Sequence, residues 1–182
     1  GDLAGQSVGT AGDVNGDGYD DILVGAHMAE PDLPGTSDSG ETYLVFGAPG
    51  GFPASLDVTT LDGTNGFWME GGESYAESGY SVSSAGDVNG DGYDDILVGA
   101  PDANFTIGET YLVFGSGVGY SARLDLSSLD GTDGIRIDGR WDMDKSGYAV
   151  STAGDVNGDG FDDILIGAPI ADYHIGEAYV VF

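Results

Sequence analysis

The sequence predicts an all-β protein built from repeated four-stranded antiparallel units, and three observations support this prediction. The string GDVNGDGYDDILVGA occupies residues 12–26 and recurs at residues 86–100, and a close variant occupies residues 154–168. A second string, GETYLVFG or GEAYVVF, follows each copy, and its occurrences are 68 residues apart. Glycine accounts for 34 of the 182 residues, which favours many tight turns over long helices.

Each unit contains four short segments that predict strands. In the second unit the first segment is SGYSVSSAG (78–86), in which small and apolar residues alternate, and the second is the apolar run DDILVGA (94–100). The third is ETYLVFG (109–115), and the fourth is GIRIDG (134–139), which corresponds to GFWMEG in the first unit. β-Branched and aromatic residues favour strands, and Gly, Asp, Asn and Pro at the junctions favour turns. Four antiparallel strands per unit are typical of the blades of a β-propeller.

The predicted blades are residues 4–71, 78–139 and 146–182, and the third lacks its fourth strand. Eleven strands make about two and three-quarter blades, whereas a closed propeller needs about four to eight blades. The sequence therefore predicts an incomplete or assembled ring. Two arrangements agree with this prediction: a segment of a longer propeller chain, or a chain that associates with further copies of itself.

The motif D-x-N-x-D-G-x-x-D lies between the first and second predicted strands of every unit. Side chains at loop positions 1, 3, 5 and 9, with the main-chain carbonyl at position 7, converge on one point and offer only oxygen ligands, which suits Ca²⁺. The glycine at position 6 allows the sharp turn without a Cβ clash. The ligands predicted for three Ca²⁺ sites are Asp13, Asn15, Asp17, Tyr19 and Asp21; Asp87, Asn89, Asp91, Tyr93 and Asp95; and Asp155, Asn157, Asp159, Phe161 and Asp163.

Two other kinds of calcium loop begin with a similar motif. An EF-hand needs a bidentate glutamate at position 12, where this chain has Val24, Val98 and Ile166, and it needs flanking helices. A dockerin loop opens a helix, whereas DDILVGA predicts a strand. Neither alternative fits. The aspartates at position 8 are interpreted as caps, turn residues or supports for the ligands: Asp20, Asp94 and Asp162.

Two short signatures end the predicted strands: Phe-Gly ends the third strand, and Gly-Ala-Pro ends the second, except that His27 replaces the proline in the first unit. The matching residues are Phe46-Gly47, Phe114-Gly115, Gly25-Ala26, Gly99-Ala100-Pro101 and Gly167-Ala168-Pro169. With these signatures the unit resembles the FG-GAP repeat of the integrin α-subunit N-terminal β-propeller and its bacterial relatives. The resemblance implies a calcium loop between the first and second strands, and ligand and partner contacts on the opposite face.

Sequence differences between the units are concentrated in two sets of loops, which strand alternation places on the face opposite the calcium loops. One set joins the second and third strands (27–39, 101–107 and 169–175), and the other joins the fourth strand to the next blade (72–77 and 140–145). Variable loops on a rigid scaffold are where recognition usually occurs. Four aromatic residues there are predicted to bind a protein or glycan partner: Tyr75, Phe105, Trp141 and Tyr173. For Trp141, packing between adjacent blades is an equally good interpretation.

The composition excludes several functions. The 32 acidic residues outnumber four basic ones, and a net charge of −28 repels phosphate backbones and anionic lipid, so we expect no nucleic-acid binding. No apolar run approaches the length that spans a bilayer, so we expect no membrane insertion. The chain has no cysteine and no G-x-S-x-G motif, so a covalent nucleophile has no support. His27 and His174 are interpreted as exposed loop residues.

These observations favour a non-enzymatic, calcium-stabilised adhesion or interaction module in an extracellular or cell-surface location. The alternative is a propeller domain of a larger secreted enzyme, because related repeats also occur beside phospholipase and polysaccharide-acting domains. A catalytic domain elsewhere in a longer chain would support the alternative.

Overall fold

The computed structural model describes residues 1–30 and 37–182, in which the repeats form three sheets. In chain order the strands are β1 (Ser7–Gly12), β2 (Asp21–Ala26), β3 (Glu41–Val45), β4 (Gly66–Glu70), β5 (Ser81–Gly86), β6 (Asp95–Ala100), β7 (Glu109–Val113), β8 (Arg123–Asp125), β9 (Gly134–Asp138), β10 (Ala149–Gly154), β11 (Asp163–Ala168) and β12 (Glu177–Val181). The strand orders are β1-β2-β3-β4-β8 in blade one, β5-β6-β7-β9 in blade two and β10-β11-β12 in blade three. The predicted all-β fold is confirmed, and the blades form an open arrangement rather than a closed ring.

The first strands of the three blades, β1, β5 and β10, lie side by side, with β5 in the middle. Apart from β8, neighbouring strands within each blade pair antiparallel. Every hairpin between first and second strands contains a bulge just before the candidate metal loop, for example between Thr10 and Gly12. The three candidate metal loops therefore leave their strands at the same place and in the same direction.

Strand β8 is a feature that the sequence does not predict. It pairs in parallel with β4, so that Trp68 lies opposite Arg123 and Met69 lies opposite Leu124. Arg123 also forms an ion pair with Glu70. A segment of the second repeat thus completes the sheet of blade one. The local sequence carries no signal for this pairing, because the partner strand belongs to the preceding repeat.

The apolar core lies between the blades. One cluster joins side chains of blades one and two, including Leu23, Phe67, Ile96 and Tyr111, and a second joins Leu97 and Leu112 of blade two to Ile164 and Ile166 of blade three. Strand β6 is covered on both sides, so all six of its residues are buried. In the equivalent strand of blade one, Ile22 remains 37% exposed, because no described sheet covers that side.

Helical structure among the described residues is confined to short turns. Two are four-residue turns, α1 (Ala103–Thr106) and α2 (Ala171–His174), and two are single 3-10 turns, Val58–Thr60 and Leu126–Ser128. None of these described helices is long and apolar enough to cross a membrane.

His27 is buried, which corrects the interpretation of this residue as an exposed loop histidine. Only 2% of His27 is exposed, and its ring packs edge-on against Tyr80 of blade two, with 5.2 Å between ring centroids. The loop that follows β2 packs against blade two, and the long-range contact with Tyr80 explains why His27 is buried. His174 is exposed, as predicted.

Candidate calcium loops and the opposite face

The first candidate loop gathers the oxygens of loop positions 1, 3 and 5. The Asp17 amide donates both to Asp13 Oδ1 and to Asn15 Oδ1, each at 2.9 Å, so these two oxygens lie close together. The Asn15 side-chain amide donates to Asp17 Oδ2 at 3.1 Å, and the Gly18 amide donates to Asp13 Oδ2 at 2.9 Å. The same bonds recur in the second and third loops. The three loops therefore share one geometry.

The glycine at position 6 has a backbone conformation that other residues rarely adopt. Its φ angle is +89° at Gly18, +91° at Gly92 and +96° at Gly160. These values lie in the left-handed region, where a Cβ atom is unfavourable. The left-handed backbone therefore agrees with the sharp turn that the sequence predicts at this glycine.

The aspartate at position 9 closes the base of each loop. Asp21 is buried. Its carboxylate accepts hydrogen bonds from the Val14 amide at 3.0 Å and from the Gly47 amide at 2.8 Å. A Cβ atom at Gly47 would lie 2.5 Å from the Asp20 carbonyl oxygen, so only glycine fits there. The Phe-Gly signature after the third strand is therefore explained by the contact between this glycine and the candidate metal loop.

Burial raises the pKa of Asp21 to about 6 and the pKa of Asp95 to about 7, although backbone hydrogen bonds lower both values. Charges of the nearby loop aspartates add to the increase. In the third loop the Asn157 side-chain amide reaches the Asp163 carboxylate at 3.4 Å, which places positions 3 and 9 side by side. A bound cation would offset both the cost of burying a charged carboxylate and the repulsion between the loop carboxylates.

The donor set of each loop fits Ca²⁺, since all of its side-chain donors are oxygens and three of them are carboxylates. The structure brings positions 1, 3 and 5 together, and it places position 9 at the base with both oxygens hydrogen-bonded to backbone amides in the first two loops. Among the described residues, no group of three or more His, Cys, Asp or Glu side chains has the geometry of a metal centre. Each carboxylate oxygen has more than one lone pair, so a ligand oxygen can accept an amide hydrogen bond and contact a cation at the same time.

The face opposite the calcium loops, called the partner face below, exposes the four predicted aromatic residues. The exposed fraction is 63% for Tyr75, 90% for Phe105, 62% for Trp141 and 95% for Tyr173. Tyr75 and Phe105 line one groove, and Trp141 and Tyr173 line the equivalent groove at the next blade junction. Trp141 is thus largely exposed within the groove at this junction. Residues 31–36 of the first loop of this face lie outside the described residues.

Three of these aromatic residues have left-handed backbone: Tyr75, with a φ angle of +63°, and Phe105 and Tyr173, which lie in left-handed turns. Asn104, Phe105 and Thr106 have φ angles of +50°, +58° and +66°, and the equivalent residues 172–174 repeat this conformation. Left-handed backbone costs roughly 1–2 kcal/mol per non-glycine residue. The amide of Gly108 closes the first turn by donating to the Ala103 carbonyl at 3.1 Å. Sequence reasoning missed these turns, because no glycine marks them.

The fold and its loops define a class of protein: a β-propeller repeat protein whose blades each carry an acidic, oxygen-rich loop. The FG-GAP repeat model matches residues 4–45, 78–119 and 146–181, which is more than half of the chain. The chain therefore belongs to the FG-GAP repeat family, as the sequence signatures indicate.

Similar proteins are integrin α chains. The chain is 34% identical over 175 residues to integrin alpha-PS2 of Drosophila melanogaster, which covers 94% of this chain, and 35% identical over 186 residues to integrin alpha-PS5 of the same organism, which covers 100%. It is 34% identical over 164 residues to integrin alpha-8 of Homo sapiens, with 84% of this chain covered. These matches span 12%, 16% and 14% of the relatives' own lengths. The chain is thus similar to integrin α chains over a small part of their length.

Proposed function

We propose that the chain is a calcium-binding, non-enzymatic adhesion or interaction module that acts outside the cell or at the cell surface. The observation that carries the proposal is one oxygen-rich loop, with the same hydrogen bonds, repeated in three hairpins of an FG-GAP protein. The similarity to integrin α chains supports a role in adhesion and a cell-surface location.

In this proposal each loop holds one Ca²⁺ ion through the side chains at positions 1, 3, 5 and 9 and the carbonyl at position 7. The bound ion supplies positive charge that offsets the repulsion between the three carboxylates of a loop. Asp21 links its loop to the backbone after β3 through Gly47, and Asp95 does the same through Gly115. An ordered loop therefore fixes the first three strands of its blade relative to one another.

The partner face is proposed to bind a protein or a glycan. Its exposed aromatic side chains offer large contact areas, and such residues are frequent at the centres of interfaces. Contacts between loops hold them in place: the Asn104 amide donates to Glu73 at 3.0 Å, and Lys145 forms an ion pair with Asp102 at 2.8 Å. The left-handed turns add support, since strained backbone is concentrated at functional sites.

Thermal unfolding in excess Ca²⁺ and in chelator tests the calcium proposal. Binding to the folded state alone should add about 2.7 kcal/mol per site when free Ca²⁺ is 100 times Kd. Asp91→Ala removes the position 5 carboxylate of the second loop and should reduce the calcium-dependent gain by about one site. Asp142→Ala, which removes an exposed aspartate outside the loops, is the control and should keep the full gain. A midpoint that is unchanged by chelation would refute the proposal.

Binding to a surface array of extracellular-matrix proteins and glycans tests the partner face. Phe105→Ala and Tyr173→Ala should weaken binding by at least about tenfold, since aromatic anchors contribute more than about 1.4 kcal/mol each. Val118→Ala is the matched control, because Val118 is an equally exposed apolar residue on the calcium-loop face. Equal loss of binding in all three variants, or no loss in any, would contradict this assignment.

The alternative function, a propeller domain within a secreted enzyme that acts on phospholipid or polysaccharide, is favoured by no specific observation. The relatives quoted above carry the names of integrin α chains and not of enzymes. A full-length sequence with a neighbouring catalytic domain would favour it.

A further inference from the structure

Each of the first two calcium loops is contacted by the following blade. The Asp13 amide donates to Asp94 Oδ2 of blade two at 2.7 Å, and the Asp94 amide donates back to the Asp13 carbonyl at 3.3 Å. The second loop repeats this pair: the Asp87 amide donates to Asp162 Oδ2 of blade three at 3.1 Å, and the Asp162 amide donates to the Asp87 carbonyl at 3.2 Å. In both cases the residue that is held is the position 1 ligand of the preceding loop.

The glycine that precedes each loop makes room for this carboxylate. A Cβ atom at Gly12 would lie 2.1 Å from Asp94 Oδ2, and one at Gly86 would lie 2.0 Å from Asp162 Oδ2. At Gly154, the equivalent position in blade three, a Cβ atom would meet nothing within 4 Å. All three glycines have positive φ angles, between +66° and +76°, and in the first two repeats the absence of a Cβ atom also makes room for the carboxylate.

The aromatic residue at position 7 covers the same loop from the next blade. A Cβ atom at Gly16 would lie 2.4 Å from Cε1 of Tyr93, and one at Gly90 would lie 2.4 Å from Cε1 of Phe161. The segments 93–94 and 161–162, called the latch segments below, therefore close over the loop of the preceding blade with one ring and one carboxylate each.

We propose that Asp94 and Asp162 are positioning residues for Ca²⁺ in the preceding blade. This inference rests on the proposed calcium binding. Each aspartate fixes the backbone of the position 1 ligand, which reduces the entropy lost when the loop orders around the ion. Because coupling between two binding events is reciprocal, Ca²⁺ in one blade also strengthens the contact with the next blade. Calcium then acts between blades as well as within one hairpin.

The third loop offers an internal comparison. It has the same ligands as the first two loops, but the positions that would meet a latch segment, Gly154 and Gly158, have nothing within 4 Å of a Cβ atom. The proposal therefore predicts that the third loop binds Ca²⁺ more weakly than the first and second.

Calcium titration followed by ¹⁵N–¹H NMR measures the three loops separately. The position 6 amide of each loop donates to the position 1 carboxylate of the same loop at 2.9–3.0 Å, so Gly18, Gly92 and Gly160 each report one site. In Asp94→Ala, the affinity that Gly18 reports should fall by about 10- to 100-fold, as for other residues that orient metal ligands, whereas Gly160 should be unaffected.

Asp20→Ala is the matched control. Asp20 holds the same loop position in blade one, and the described residues place no further blade on that side. The affinities that Gly92 and Gly160 report should stay within about twofold of wild type in this variant, and the change at Gly18 measures what the position 8 carboxylate does within its own loop. Asp94→Asn keeps an acceptor oxygen and removes the charge, so it should restore most of the affinity that Asp94→Ala loses.

Three results would overturn the inference. Unchanged affinity at Gly18 in Asp94→Ala, with calcium binding intact in the wild type, would overturn the positioning role alone. An Asp94→Asn protein as weak as Asp94→Ala would assign the effect to charge and not to positioning. A wild type without any calcium response would overturn the proposed function and the positioning role together. If Asp94→Ala does not fold, Asp162→Ala decides the question through Gly92.

Discussion

Gly99 lies in β6 at the contact between blades two and three, and it offers a sharp test of how the blades pack. A Cβ atom there would lie 2.0 Å from the Gly147 carbonyl oxygen and 2.3 Å from Ser81 Oγ. Side-chain carbons do not approach backbone oxygen this closely, so Gly99→Ala must push blade three outward by roughly 1 Å. We predict that this single methyl group destabilises the protein strongly.

The size of the expected loss of stability follows from the core contacts that the displacement of blade three weakens. Moving blade three loosens the second core cluster, where Leu97 and Leu112 meet Ile164 and Ile166. Overpacking typically costs about 1–3 kcal/mol, and a clash with backbone belongs at the upper end of that range. A loss of about 3 kcal/mol corresponds to a decrease of roughly 6–12 °C in Tm for a protein of this size.

Circular dichroism melts in excess Ca²⁺ provide the measurement, and Gly167→Ala provides the control. Gly167 holds the same strand position in blade three, where the nearest atom to a Cβ is 3.5 Å away, an ordinary contact. This variant should melt within about 2 °C of wild type, since Gly→Ala at a compatible position costs nothing and restricts the unfolded chain. Equal midpoints for Gly99→Ala and Gly167→Ala would refute the packing of blades two and three.

Two further predictions concern charge and exposed surface. Three Ca²⁺ ions offset only six of the 28 net negative charges, so NaCl should raise the Tm of a chelated sample by screening repulsion, and a Tm that falls with salt would contradict this. Val8 of β1 and Val180 of β12 are exposed apolar side chains of the two outer blades, so the protein should associate with itself at micromolar concentration and Val180→Lys should reduce the association. Light scattering that reports a monomer of 18.5 kDa would count against this.

The strands could be predicted because each of their signals occurs in more than one repeat. The run Ile96-Leu97-Val98, bounded by aspartate and glycine, matches Ile22-Leu23-Val24, so the position of β6 was supported by β2. Strand β8 differs, because its Leu124-Asp125 recurs as Leu56-Asp57 in the first repeat, where the equivalent residues 55–57 do not form a strand. Its three residues form a strand only because β4 of the preceding repeat lies beside them, and that contact depends on how the blades stack.

The candidate site, too, could be predicted only in part from the sequence. The order of the loop ligands is visible in the sequence, and they remain predicted ligands. The roles of Asp94 and Tyr93 are not visible, because the same residue types occur as Asp20 and Tyr19 on the uncovered side of blade one. Only the neighbouring blade distinguishes the two pairs. The burial of His27 likewise depends on a distant partner, Tyr80.

Strand β8 also bears on how such a chain evolves. Tyr120, just before β8, stacks on Phe67 of the first repeat with 4.5 Å between ring centroids, and Leu126, just after it, is buried in the core that both repeats share. The sequence repeat therefore does not coincide with a self-contained structural unit. A recombination breakpoint between residues 72 and 78 would separate β4 from the strand that completes its sheet. Insertions and deletions of blades are then tolerated only where the neighbouring repeat supplies an equivalent strand.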